Sequence, residues 1–196
     1  MNLARTVAAL PKKPQRRRFT VDEYDRLTEL GLWGADDRIE LIRGDLIEMV
    51  AKGTAHILCC RKLLQQLVHA VQTQAIIQCQ DPIVLPLGSE PEPDFALLDV
   101  NVGDFKPNAD QVLLVIEVSD SSLDYDRTTK GPLYAEAQIP HYWIFNCLDK
   151  QVECHSQLQQ NAKGEWLYSL CQVILPPQRL ALPGSMQGAI DIGDCF

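Results

Sequence analysis

The chain predicts a mixed α/β (α+β) domain, a central mixed sheet flanked by helices, and three observations carry that expectation. The segment Val112-Leu113-Leu114-Val115-Ile116-Glu117-Val118-Ser119 has the near-continuous apolar character of a buried central strand. Shorter strand-like pieces lie on both sides of it. Helical patterns precede and interrupt the strand region, giving the order helix, hairpin, long helix, strands, helix, strands.

Order is expected from Phe19 onward. Thr20 and Glu23 form a capping-box pattern, with Val21, Tyr24 and Leu27 following at helical spacing and Gly31 closing the helix. Arg38 to Val50 reads as a β-hairpin about Gly44. Thr54 to Gln74 reads as the longest helix, on apolar residues Ile57, Leu58, Leu64, Leu67, Val68 and Val71. Residues 75–79, 83–87 and 95–98 read as short strands, and 101–110 as a loop. After the central strand a polar stretch from Asp120 to Thr129 reaches Lys130. Pro132 suits the first turn of a helix through Leu133, Tyr134 and Ala137. Residues 141–146 read as a further strand, with Trp143 in the core. Residues 152–157 and 165–170 form a hairpin around 161–164. The last twenty residues read as irregular, with a short final strand.

The 196 residues are 46% hydrophobic and 22% charged, ordinary for a globular chain, and fit one domain. No apolar run approaches the ~18 residues of a spanning helix. Net charge is −8, unevenly distributed. Residues 1–18 hold six basic residues and no acid, so residues 19–196 carry −14. The expected organisation is a flexible basic arm over 1–18 and a single domain over 19–196. An acidic body is not a general duplex-binding surface, because phosphate contacts need Lys and Arg; the arm at 12–18 is the candidate for nonspecific attraction, or else a solubilising tail.

Val7 to Leu10 is too short for an export signal and its basic cluster follows it, so a cytoplasmic location is expected. Seven cysteines without a CxxC pair read as reduced, mostly buried thiols. A zinc site would want clustered Cys and His, and the four histidines do not supply that spacing; His155 beside Cys154 is the nearest approach, and no metal is expected there.

Glu117 interrupts the apolar strand. Burying even a neutral polar group costs roughly 2–7 kcal/mol, and a charge more. The carboxylate therefore needs an Arg or Lys partner, a raised pKa, a metal, or a strand end open to solvent. Asp94, after Pro93, enters a neighbouring strand; Pro-Asp is also a common turn pair. Two carboxylates on paired strands can share a hard cation such as Mg²⁺, with the Val118 carbonyl as a third oxygen. Lys130 could orient water or balance charge beside them, or stand exposed at a helix start. Glu40 shares a strand face with Ile42, unusual for a carboxylate unless that face is solvated.

Five segments in order, Arg38-Ile39-Glu40-Leu41-Ile42-Arg43-Gly44-Asp45-Leu46, Glu92-Pro93-Asp94, Ile116-Glu117-Val118-Ser119, Asp126-Arg127-Thr128-Thr129-Lys130 and Ala137-Gln138-Ile139-Pro140-His141-Tyr142-Trp143-Ile144, resemble the Uma-two family. These are restriction-endonuclease-like proteins abundant in cyanobacteria, within the PD-(D/E)XK nuclease superfamily, and the resemblance spans about residues 19–192. It implies a restriction-endonuclease-like core, Asp94 and Glu117 as metal ligands, and Glu40 as a further acidic site residue. The superfamily usually has Lys two residues after the second acid, where this chain has Ser119; the family's lysine falls on Lys130. His56 sits where relatives often have a histidine.

The expected function is metal-dependent hydrolysis of DNA phosphodiester bonds. Asp94, Glu117 and the Val118 carbonyl hold Mg²⁺ or Mn²⁺, Lys130 handles water or charge, and Glu40 serves a second ion or its water. By analogy with nucleases that cut both strands, a homodimer is expected. The alternative is a non-catalytic module that keeps the fold and binds a partner. A glycosidase using the carboxylate pair finds no support in the scattered tryptophans Trp33, Trp143 and Trp166.

Overall fold

The structure, a computed structural model, describes residues 15–34, 37–103 and 105–196. Most of the basic arm lies outside the described residues. Of its described part, Arg16 pairs with Asp45 at 3.0 Å and Arg17 pairs with Glu23, both at the surface.

Helix α1 (Val21–Glu29) begins with both hydrogen bonds of the capping box between Thr20 and Glu23. It buries Tyr24, whose hydroxyl donates to the Ile39 carbonyl at 2.6 Å. The hairpin β1 (Ile39–Ile42) and β2 (Asp45–Glu48) turns through Arg43 and Gly44, both at positive φ (50° and 80°). Gly44 is required there. A Cβ would meet the Phe19 carbonyl at 2.9 Å and the Arg18 side chain at 2.5 Å. The turn is tied down by Phe19 N–H to Gly44 O (2.9 Å) and Gly44 N–H to Gly88 O (2.8 Å).

Helix α2 (Thr54–Val71) is the expected long helix. Of the six apolar residues that mark it in the sequence, Leu67 and Val71 are buried, whereas Ile57, Leu58, Leu64 and Val68 are exposed. His56, Cys59, Cys60, Leu63 and Ala70 complete the buried stripe.

A six-stranded sheet runs β3 (Ile76–Cys79), β4 (Phe95–Leu98), β5 (Val112–Ser119), β6 (Tyr142–Asn146), β7 (Gln151–Gln160) and β8 (Trp166–Ile174). Only β5 and β6 are parallel. Their crossover holds α3 (Leu123–Tyr125), a π-helical turn (Asp126–Lys130) and α4 (Gly131–Glu136). The expected strand at 83–87 makes only isolated bridges, Val84 with Asn108 and Leu85 with Ser89. Pro82 and Pro86 remove backbone donors, and Leu87 turns at φ 60°. Within the polar stretch, residues 123–130 are helical, and the hairpin β7–β8 is longer than its apolar pattern. A small pair, β9 (Arg179–Ala181) with β10 (Ala189–Asp191), lies near the end of the chain.

Each face of the sheet has its own core. Phe95, Leu97, Leu114, Ile116, Val118, Trp143 and Phe145 pack with α2. Ala96, Leu98, Val115, Tyr142 and Ile144 pack with Leu133 and Tyr134 of α4 and with Ile42. At about 25 cal/mol per Å² of apolar surface, these two layers carry the main favourable term of folding. All seven cysteines are free.

Candidate active site

The site follows from strand register. β4 and β5 are antiparallel with Phe95 opposite Ile116, which sets Asp94 opposite Glu117 at the strand end. The Asp94 N–H donates to Glu117 Oε2 at 3.2 Å, and the Val118 N–H donates to Asp94 Oδ2 at 2.9 Å. Backbone amides thus orient both carboxylates.

β1 brings Glu40 to the same place. Leu41 bridges Glu90, with the Glu90 N–H donating to the Leu41 carbonyl at 2.6 Å, two residues before Glu92-Pro93-Asp94. Glu40 is buried rather than solvent-facing, at 2% exposure. Lys130 enters from the other side. Ser119 and Ser122 each donate a hydroxyl to Asp126 Oδ2 at 2.6 Å, anchoring the first residue of the π-helical turn. The turn ends at Lys130, which is 1% exposed. Its Nζ lies 2.6 Å from Glu40 Oε2 and 3.4 Å from Glu117 Oε1. The first contact is a close, buried ion pair in which the ammonium balances the Glu40 carboxylate.

Three further groups complete the surroundings. The Tyr134 hydroxyl donates to Glu117 Oε1 at 2.7 Å. His56 Nε2 lies 2.9 Å from Asp94 Oδ2, and Lys52 Nζ lies 3.6 Å from Asp94 Oδ1. Glu40, His56, Asp94, Glu117, Val118 and Lys130 all line one partly open cleft with a volume of about 40 Å³. That space suits an ion with a water or two.

The acids are held differently. Burial pushes the Glu117 carboxyl up to about 8, Lys130 opposes the shift, and Asp126, Asp94 and Glu40 add to it. Burial also works to raise Asp94, but the hydrogen bond and charge of His56, the Val118 amide and Lys52 outweigh it and leave its pKa below the ordinary value. Asp126 is raised by burial, against its two serine donors. Burial opposes the charge on Lys130, yet Glu117 and Glu40 more than compensate and its pKa is raised. Lys130 therefore remains an ammonium at neutral pH.

The sequence reading missed several participants. Asp126 lay inside a quoted motif without a role, although its spacing from Ser119 and Ser122 allowed an anchor. Lys52 and Tyr134 carried no signal separable from loop and core. Cys60 was passed over. Yet His56, Cys60 and Asp94 are, among the described residues, the group of three His, Cys, Asp or Glu whose ligand atoms lie within 4.8 Å of one another. The pairing of His155 with Cys154 is replaced in space by Cys171, whose Sγ lies 3.8 Å from His155 Nε2.

A mixed sheet flanked by helices, with opposed acids at the end of two central strands, defines a nuclease-like α/β fold. The same fold occurs in the crystal structure of a protein from Anabaena variabilis ATCC 29413, described as a "putative nuclease belonging to DUF820", at a TM-score of 0.67 and 17% identity. The match covers 91% of this chain and 97% of that one. The profile of Uma2, described as "Putative restriction endonuclease", matches residues 21–189, and the chain belongs to that family. No curated protein matches the sequence. Among the described residues no helix is long and apolar enough to cross a membrane.

Proposed function

We propose that the chain is a metal-dependent endonuclease that hydrolyses DNA phosphodiester bonds. The observation that carries the reading is the opposed pair Asp94 and Glu117 with the Lys130 ammonium in one small cleft. Family membership supports hydrolysis of nucleic acid as the reaction class.

The residues fit a hard divalent ion. The Asp94 and Glu117 carboxylates and the Val118 carbonyl form an all-oxygen donor set of the kind such an ion prefers, with the Glu40 carboxylate beside them on Lys130. When bound, Mg²⁺ or Mn²⁺ would supply Lewis acidity to a water and to phosphate oxygens. The protein supplies the rest. The Asp94 and Val118 amides, His56 and Tyr134 fix the carboxylates before substrate arrives. Lys130 keeps its proton, so it acts as a fixed positive charge toward the phosphate and as a donor that orients water, not as a general base. Glu40 holds Lys130 in place and is the acid nearest to a second ion. His56 acts as a positioning residue through Asp94.

Carboxylates around the cleft repel a DNA strand until cations neutralise them, so affinity without divalent ion is weak and salt-sensitive. Cutting both strands of a duplex calls for two copies of the cleft, and we expect a two-fold dimer on DNA. The decisive experiment incubates plasmid and linear DNA with the full chain and Mg²⁺ or Mn²⁺, beside Asp94→Ala and Glu117→Ala. Wild-type cleavage abolished in both variants supports the reading. Variants that cut as well as wild type overturn it, and calorimetry without ion uptake at millimolar concentration favours a non-catalytic binding module.

A further inference from the structure

Behind Asp94 the helix α2 supplies ligands of a different chemical kind. His56 and Cys60 are four residues apart and share one helix face. His56 Nε2 lies 2.9 Å from Asp94 Oδ2 and 3.9 Å from Cys60 Sγ, while Nδ1 lies 3.5 Å from the same sulfur. A tetrahedral zinc, with bonds of ~2.0–2.1 Å to N and O and ~2.3 Å to S, sets its ligand atoms roughly 3.3–3.6 Å apart. The two separations from His56 Nε2 bracket those values, and the three ligand atoms all lie within 4.8 Å of one another. All three side chains are nearly buried, at 8%, 9% and 6% exposure for His56, Cys60 and Asp94. His56 and Asp94 nevertheless line the cleft, which leaves a fourth position reachable by water.

We propose that His56, Cys60 and Asp94 form a zinc site, and that zinc held there withdraws Asp94 from the oxygen-ligand site and switches cleavage off. The second half rests on the nuclease reading; the first does not. Thiolate and imidazole select zinc over Mg²⁺, which prefers oxygen. Binding replaces the His56–Asp94 hydrogen bond by two bonds to the metal. Nε2 becomes a ligand as the neutral imidazole carries its proton on Nδ1. Cys60 gives its thiol proton to bulk water, because the thiolate is the ligand. No electron transfer is involved. One carboxylate thus belongs to two mutually exclusive donor sets, one of hard oxygens and one containing sulfur and nitrogen.

The test uses Co²⁺ as the spectroscopic stand-in for zinc, titrated into the full-length protein in the absence of DNA. Wild type is expected to develop a sulfur-to-cobalt charge-transfer band with intense visible d–d bands, bleached on adding zinc. Cys60→Ser and Cys60→Ala, checked for folding by circular dichroism, are expected to lose the charge-transfer band and to bind zinc roughly 100-fold or more weakly. Cys60→Ser is expected to keep its Mg²⁺-dependent cleavage while losing inhibition by zinc. A wild-type spectrum without the band overturns the proposal whatever the variants do, and so does a band that survives in Cys60→Ser. A Cys60-dependent band in a protein that cuts no DNA supports the zinc site and overturns the nuclease reading. Cleavage without the band does the reverse.

Discussion

The Ser119 hydroxyl donates to Asp126 Oδ2 at 2.6 Å, and that bond links the end of the central strand to the turn that delivers Lys130. The superfamily resemblance leads one to expect a lysine two residues after Glu117, where this chain has Ser119. Here the strand end anchors a π-helical turn instead, and the ammonium arrives from eleven residues further on. Short π-helical segments are rare and concentrate at functional sites.

Ser119→Ala should therefore impair catalysis from a distance. A hydrogen bond to a charged group contributes about 1.5–3 kcal/mol, and a stability loss in that range is expected by urea denaturation. Cleavage should fall without disappearing, because Ser122 still holds Asp126. Cleavage equal to wild type would show that the turn keeps its shape without the strand.

Lys130→Met removes the cation between Glu40 and Glu117. Stranding buried carboxylates costs about 3–5 kcal/mol, so this variant should be strongly destabilised as well as inactive. The double variant Lys130→Met with Glu40→Gln should recover part of the stability and none of the activity. A double-mutant cycle by urea unfolding measures the coupling.

Glu117 makes stability depend on pH. Its folded pKa, near 8, lies above the unfolded value of 4.5, so between those limits the native state binds more protons than the unfolded state. Its stabilising share is fully present below about 4.5 and is lost as pH rises through about 8, on the order of 5 kcal/mol in all. Asp126, also raised, acts in the same direction. Asp94, lowered, loses its contribution only as pH falls through the acid range. Unfolding free energy in the absence of divalent ions should fall from pH 5 to pH 8, and Glu117→Gln should flatten most of that slope. A slope unchanged by the substitution would exclude Glu117 as its source.

His56→Asn should loosen Asp94 without deleting an oxygen ligand. Losing such an orienting partner typically costs 10–100-fold in metal affinity or activity. The expected signature is a higher Mn²⁺ requirement, with part of the activity recovered at saturating ion. Unchanged dependence on Mn²⁺ would leave His56 without a positioning role.

The sheet and its acids were legible because they break patterns: Glu117 in an apolar run, and Asp94 after Pro93 at a strand entrance. Glu40 was legible only as an anomaly, since alternation allowed a solvated face and only the bridge from Leu41 to Glu90 closes it. The helix α2 was legible but its buried side was not, because apolar residues lie around it: Ile57, Leu58, Leu64 and Val68 are exposed, while Leu63, Leu67 and Val71 share the buried stripe with the smaller Cys59, Cys60 and Ala70. The helical character of residues 123–130 was hidden because its support is side-chain hydrogen bonding by Ser119 and Ser122, which composition reads as loop.

The narrowness of the cleft divides labour within any complex with nucleic acid. A cleft of about 40 Å³ lined by charged groups suits a backbone phosphate at its mouth better than an inserted nucleobase. Under the nuclease reading, discrimination between targets then falls to contacts outside it, in the grooves or through the shape of the duplex.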